Sequence, residues 1–85
     1  MAIDILYFAW VREAIGTESE RVDPPVEATT VAELIDWLAE RSDGHARAFA
    51  DRERLRAAVD QVFVSFDAPL TGAREVAIFP PVTGG

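Results

Sequence analysis

The segment that decides the fold reads Thr30-Val31-Ala32-Glu33-Leu34-Ile35-Asp36-Trp37-Leu38. Thr30 and Glu33 have the spacing of a capping box, in which each side chain binds a backbone N–H group at the start of a helix. Four apolar residues recur at intervals of three or four, and therefore share one side of that helix: Val31, Leu34, Ile35 and Leu38. Arg41 is predicted in the last turn of the helix, where its positive charge interacts favourably with the helix dipole, and Gly44 is predicted to end the helix. The segment predicts an amphipathic helix that needs a second layer to cover its apolar side.

Stretches rich in strand-forming residues lie on both sides of this helix. They span residues 2–8 and 18–23 before it, and residues 57–66 and 75–79 after it. A helical turn over 10–15 and a weaker helix over 43–52, with Phe49 as its core anchor, fill the other segments. This order predicts an α+β fold in which one mixed sheet packs on the main helix, and the β-grasp topology fits it best.

Length and composition indicate a single domain. The chain has 85 residues, of which 49% are apolar, enough for one modest core. We expect a folded domain over residues 1–79 and a flexible C-terminal tail over residues 80–85. The sequence contains no cysteine, which excludes disulfides and thiolate metal sites and favours a cytoplasmic location.

Charge and hydropathy exclude two classes of function. The net charge is −7, and all eight basic residues are arginine, so a nucleic-acid partner is not expected. No stretch approaches the roughly 20 apolar residues of a membrane span. A chain without lysine also cannot accept an isopeptide bond on a side chain. These features favour protein partners with basic surfaces.

Three phenylalanines are predicted on the face of the sheet that points away from the helix. Strand alternation places Phe8, Phe63 and Phe79 on the same side as polar residues of their own strands, and puts Val59 beside Phe63. The other aliphatic residues point toward the helix: Ile3, Ile5, Val62, Val64, Val76 and Ile78. The three rings would then form one exposed patch with Leu6, typical of a partner surface. The alternative is a bulge or a shifted register that turns a ring inward.

The sequence ends with Pro80-Pro81-Val82-Thr83-Gly84-Gly85. Two prolines stop the last strand, and the two glycines carry no side chain that would obstruct a narrow channel. A terminal carboxylate becomes reactive when it condenses with ATP to an acyl-adenylate, from which a sulfur nucleophile displaces AMP. The tail therefore suits a carrier that other enzymes charge. The alternative is an ordinary frayed terminus.

Other polar and aromatic residues carry weaker signals. His45 is the only histidine, so we expect a surface or capping role rather than a metal site. The basic run over 52–56 is expected to face solvent. Trp10 and Trp37 lie off the clear apolar stripes, and either could cover an edge of the core or enlarge the contact surface.

Several segments match the pattern of a known family: Tyr7-Phe8-Ala9, Arg12-Glu13, Gly16, Ala57-Ala58-Val59-Asp60-Gln61, Val64-Ser65-Phe66-Asp67, Pro69-Leu70-Thr71, Glu75-Val76-Ala77 and Phe79-Pro80-Pro81-Val82-Thr83-Gly84-Gly85. On these residues the chain resembles the small, sulfur-carrying subunit of molybdopterin synthase. The likeness covers nearly the whole chain and is weakest over residues 45–56. Asp60 departs from the pattern, because relatives often have asparagine there.

The resemblance implies a ubiquitin-like β-grasp fold and a heterotetramer with two copies of a larger catalytic subunit. An adenylating enzyme related to ubiquitin activators would consume ATP to charge the C-terminus, and a sulfur donor protein would supply the sulfur of a thiocarboxylate. The large subunit would pass this sulfur to cyclic pyranopterin monophosphate. The chain would bind no cofactor and would not be an enzyme by itself.

The resemblance also assigns roles to individual residues. Gly85 would carry the sulfur, and Gly84 would clear the channel of the large subunit. The surface that contacts the large subunit would include Phe8, Phe63, Phe79, Pro80, Pro81, Val82 and Thr83.

Three other functions remain open at this point. The chain could be a ubiquitin-like sulfur carrier for thiamine synthesis or tRNA thiolation. It could be a protein modifier that forms isopeptide bonds on its targets. It could also be a purely structural interaction domain, for which Gly85 would be dispensable.

Overall fold

A five-stranded mixed sheet forms the framework of the computed structural model, which describes residues 2–81. Its strands are β1 (Ile3–Tyr7), β2 (Ser19–Val22), β3 (Arg56–Val59), β4 (Val62–Val64) and β5 (Glu75–Phe79). The helices are α1 (Ala9–Ile15), α2 (Val31–Ala39) and α3 (Asp43–Ala48), and a 3₁₀ turn spans Arg52–Arg54.

The strands lie in the order β2-β1-β5-β3-β4. β1 and β5 are parallel neighbours at the centre of the sheet, with Tyr7 opposite Ile78, and the other pairs are antiparallel. This is the β-grasp topology that the element order predicts. Because β1 and β5 run in the same direction, Phe8 and the chain after Phe79 leave the sheet at the same end.

Helix α2 covers one face of the sheet, which we call the inner face. The Glu33 N–H donates to Thr30 Oγ1 over 3.2 Å, and the Thr30 N–H donates to Glu33 Oε1 over 3.1 Å, so the predicted capping box is present. The four predicted apolar residues of α2 are wholly buried against strand residues such as Ile5 and Ile78. Each such side chain contributes about 1.5–3 kcal/mol through burial. The helix ends at Ala39, so Arg41 lies just beyond its last turn.

The single strand predicted over residues 57–66 is wrong, because the chain reverses there in a hairpin between β3 and β4. Asp60 and Gln61 form its tip with φ of 48° and 71°, the left-handed conformation of a two-residue hairpin turn. Val59 therefore pairs with Val62 and packs against the core, instead of sharing the face of Phe63. Val62 is 62% exposed because β4 is the edge strand.

Asp60 fastens this hairpin to the start of β5. Its Oδ1 atom accepts hydrogen bonds from the backbone N–H groups of Arg74 and Glu75, both at 3.0 Å. Its own N–H donates to the carbonyl oxygen of Glu75 over 2.9 Å. Asparagine offers an equivalent Oδ1 acceptor and also tolerates the left-handed conformation. The substitution of aspartate for asparagine at this position is therefore structurally conservative.

The surface position expected for His45 is wrong, because the residue is buried and only 7% exposed. Its Nε2 atom lies 2.6 Å from Glu20 Oε2, which also accepts a 2.6 Å hydrogen bond from the Tyr7 hydroxyl. Ser42, not Asp43, caps α3, and its Oγ atom lies 2.7 Å from His45 Nδ1. The cluster ties β1, β2 and α3 together.

The cluster shifts the pKa values of two of its members. Burial raises the pKa of Tyr7 well above its usual value, and the adjacent Glu20 carboxylate adds to the effect. Burial alone would also raise the pKa of Glu20. Hydrogen bonds from Tyr7 and His45 and the positive charge of Arg41 outweigh this, and the pKa of Glu20 is lowered. The folded state therefore stabilises the ionised form of Glu20.

We expect Glu20→Gln to destabilise the fold by about 1–2 kcal/mol at neutral pH, because the amide weakens two charge-assisted hydrogen bonds. Since the pKa of Glu20 is lowered on folding, its stabilisation is complete above the usual glutamate pKa of 4.5 and is lost as the pH falls through the folded value. Urea unfolding at several pH values measures both effects. The difference between wild type and variant should shrink below about pH 4.

The matched control is Glu18→Gln, because Glu18 is exposed and lies 3.8 Å from Arg12. This variant should stay within about 0.5 kcal/mol of wild type at every pH. A Glu20→Gln effect that persists unchanged at acid pH would contradict the assignment.

We expect Asp60→Ala to lower the free energy of unfolding by about 2 kcal/mol, because it removes two hydrogen bonds at a left-handed residue. Asp60→Asn should change it by less than about 0.5 kcal/mol, since the acceptor and the backbone preference remain. Urea unfolding compares the two variants. Equal losses for alanine and asparagine would show that Oδ1 does not hold the hairpin.

Candidate functional site

The three predicted phenylalanines come together on the outer face of the sheet, opposite α2. The ring centroids of Phe8 and Phe79 are 6.5 Å apart at an interplanar angle of 82°, and those of Phe63 and Phe79 are 5.3 Å apart at 45°. Phe8 is 47% exposed and Phe63 is 74% exposed, whereas Phe79 between them is half-buried. We call these three residues the aromatic patch. The structure confirms that they are adjacent and face outward.

Small residues beside the aromatic patch leave a groove in the outer face. Ala58 lies opposite both Phe63 and Ala77, and Ala77 lies opposite Leu6, so these residues form a row across four strands. The phenylalanine rings project farther from the sheet than Ala58 and Ala77 do, because alanine side chains are short. The resulting outer groove has a volume of about 800 Å³. Its lining comprises Leu6, Phe8, Ala9, Ala58, Gln61, Phe63, Glu75, Ala77, Phe79, Pro80 and Pro81.

The groove is asymmetric along the strands. Phe8, Phe79 and the two prolines occupy the end where β1 and β5 finish, and Phe63 lies in register with Ala77, with its ring 5.3 Å from that of Phe79. The carboxylate of Glu75 lies at the other end, where β5 begins, and Asp4 is its neighbour on β1. Asp4 Oδ1 accepts a 3.1 Å hydrogen bond from Arg21 on β2. Sequence reasoning identified the apolar end and missed the acidic end, although strand alternation had already placed Glu75 on this face.

The predicted tail begins at the apolar end of the groove. Pro80 and Pro81 follow β5 directly, are half-buried and line the groove beside Phe79. Val82, Thr83, Gly84 and Gly85 lie outside the described residues. Their predicted roles, and the partner contacts predicted for the aromatic patch, therefore remain predictions.

Both tryptophans pack against the edges of the core rather than the groove. The Arg54 guanidinium stacks on the Trp10 ring at 5.1 Å, and that of Arg41 stacks on Trp37 at 5.2 Å. Arg52 donates a 2.6 Å hydrogen bond to Asp36. Arg54 and Arg56 are exposed and Arg52 is half-buried, so the basic run over 52–56 faces solvent as expected, while its guanidinium groups also contact their own domain.

Neither a candidate metal cluster nor a membrane-spanning helix is found within residues 2–81. Within residues 2–81, no group of three or more histidine, aspartate and glutamate side chains could hold a metal ion. None of the helices in this part of the chain has the length and apolar character that crossing a membrane requires. The outer groove is the candidate functional site because it combines the exposed aromatic patch with the start of the tail.

Comparison with known proteins agrees with this architecture. The chain is 49% identical over 83 residues to the molybdopterin synthase sulfur carrier subunit of Escherichia coli, covering 98% of this chain and 99% of that protein. A putative molybdopterin converting factor subunit 1 from Pyrococcus furiosus superposes with a TM-score of 0.73 at 26% identity, covering 96% and 99% of the two chains.

A more distant structure shares the fold alone. It belongs to a complex of subunits 1 and 2 of the molybdopterin-converting factor from Helicobacter pylori, and it superposes with a TM-score of 0.64 at 21% identity over the full length of both chains. The family model that matches residues 5–85 is described as the ThiS family. The chain therefore belongs to the ThiS family, together with the sulfur carrier subunits of molybdopterin synthase.

Proposed function

We propose that this protein is the sulfur carrier subunit of a molybdopterin synthase and carries sulfur as a thiocarboxylate on Gly85. The main support is the 49% identity, across almost the full length of both chains, to a protein named for that role. The outer groove adds a structural reason, because an exposed aromatic surface lies at the base of the Gly-Gly tail. A carrier needs such a surface to place its terminus in a partner's active site.

The charging chemistry follows from the properties of a carboxylate. The Gly85 carboxylate attacks the α-phosphorus of ATP on an adenylating enzyme, which forms an acyl-adenylate and releases pyrophosphate. A nucleophilic sulfur from a sulfur donor protein then attacks the acyl carbon and displaces AMP. When that nucleophile is the terminal sulfur of a donor persulfide, the product is an acyl disulfide. A dithiol reductant then cleaves its S–S bond, which leaves the thiocarboxylate on Gly85, a thiol on the donor and an oxidised dithiol. This chain supplies the acyl group, and its partners supply the catalytic groups.

Sulfur delivery requires the large subunit to bind the folded domain while the tail extends into its active site. The aromatic patch and Pro80 provide an apolar contact surface on the outer face, near the C-terminal end of β5. The six residues from Pro80 to Gly85 span at most about 20 Å when extended. This reach lets Gly85 enter an active site, with Gly84 clearing the channel, while the domain stays outside. In the heterotetramer, two such chains would serve two large subunits and pass sulfur to cyclic pyranopterin monophosphate.

Charging should increase the intact mass of the chain. After incubation with ATP, the adenylating enzyme and a sulfur donor, replacement of one carboxyl oxygen by sulfur adds about 16 mass units. Fragmentation should place the added mass on Gly85. Mass added elsewhere, or no mass added with active partner enzymes, would contradict the proposal.

Removal of Gly85 should abolish charging, while the free energy of unfolding changes by less than about 0.5 kcal/mol. The small effect on stability is expected because the core cluster of the described residues runs from Ile3 to Ile78 and ends before the tail. Adducts of the intact chain on lysines of other proteins would instead support a protein modifier.

We expect Phe63→Asp to weaken binding to the large subunit by about 1–3 kcal/mol, as for anchors of other interfaces. Phe63 is 74% exposed, so the substitution should leave the fold intact. Isothermal titration calorimetry with the purified large subunit measures the change. Val26→Asp is the matched control, because Val26 is 88% exposed and lies outside the outer groove. Equal affinities for both variants would show that Phe63 does not contribute to the interface with the large subunit.

A further inference from the structure

The acidic end of the outer groove contains a carboxylate without a counter-ion. Glu75 is half-buried beside the alanine floor, and no hydrogen bond or ion pair involves its side chain within residues 2–81. Its neighbour Asp4 differs, because Arg21 binds that carboxylate at 3.1 Å. The Asp60 carboxylate close by is occupied by two backbone N–H groups. Glu75 is therefore the uncompensated charge of this groove.

No ion pair within residues 2–81 joins Glu75 to an arginine, and this includes Arg74, the exposed residue that precedes it in the chain. Arg21 is engaged by Asp4 on the neighbouring strand. Arg56 lies opposite Phe79, and its guanidinium donates to the carbonyl oxygens of Glu53 and Leu55 at 3.0 and 2.7 Å. The whole chain carries 15 acidic and eight basic residues, so its overall field also favours a cation at this position.

A partner that covers the aromatic patch also approaches Glu75. Phe79, the central residue of the patch, and Glu75 lie at the two ends of β5, and their four-residue separation corresponds to about 13 Å. An apolar surface laid over the groove would strip water from Glu75 without replacing its hydration, which is unfavourable for a carboxylate. A cationic side chain at that point removes this penalty. It also fixes the direction in which the partner lies along the groove.

We propose that the outer groove binds a segment of the large subunit in which apolar residues contact the aromatic patch and an arginine or lysine pairs with Glu75. This inference rests on the proposed function for the identity of the partner. The apolar contact supplies most of the affinity. The ion pair sets the orientation of the domain, and with it the direction in which the tail leaves toward the active site.

The test is the affinity of Glu75 variants for the purified large subunit from the same organism, measured at low and high salt. At about 50 mM NaCl, Glu75→Gln should weaken binding about 5- to 10-fold and Glu75→Lys by about 50-fold or more. At about 500 mM NaCl, the Glu75→Gln effect should fall to about 2-fold, because salt screens the pair. Circular dichroism verifies that each variant is folded.

Glu40→Gln and Glu40→Lys are the matched controls, because they make the same charge changes at an exposed residue that follows α2 on the inner face. They report only the effect of net charge, and should change the affinity by less than about 2-fold at either salt concentration. Glu75 variants that match these controls would overturn the ion pair and leave the proposed function intact. A wild-type chain that does not bind the large subunit would overturn both.

Discussion

The parallel pairing of β1 and β5 is the constraint on which the rest of the structure depends. Two adjacent parallel strands finish at the same end of a sheet. The residue after β1 and the residue at the end of β5 are therefore neighbours. Phe8 and Phe79 therefore meet although they are far apart in sequence, with ring centroids 6.5 Å apart. The same pairing places Pro80 and Pro81 beside the aromatic patch. The aromatic patch and the first two residues of the tail therefore lie at the same end of the sheet.

The two faces of the sheet have different tasks. The inner face is covered by α2 and holds the core, with Ile5, Val76 and Ile78 wholly buried. Among residues 2–81 no helix covers the groove on the outer face, and its floor is made of the short side chains of Ala58 and Ala77. Substitutions on the outer face can therefore affect partner binding with little effect on the fold. This separation suits the proposed carrier function.

Local signals made most of the fold predictable. The capping box and apolar spacing identified α2, and alternation gave the correct faces for β1 and β5. The hairpin at Asp60 escaped detection because strand-forming residues flank it without a glycine or proline, and its turn depends on two residues with positive φ. His45 was misplaced because its partner Glu20 is 25 residues away in sequence. The acidic end of the groove could not be predicted, because the sequence does not show which carboxylates the arginines already pair with, as Arg21 does with Asp4.

The central claim is that sulfur leaves from the terminus of this chain. Its most direct test is a single turnover with the purified thiocarboxylated protein, the large subunit and cyclic pyranopterin monophosphate, without ATP or the activating enzyme. The account predicts that the pterin gains sulfur while the mass of the chain returns to that of the free carboxylate at Gly85. A chain that keeps its sulfur while the pterin is converted would contradict the account.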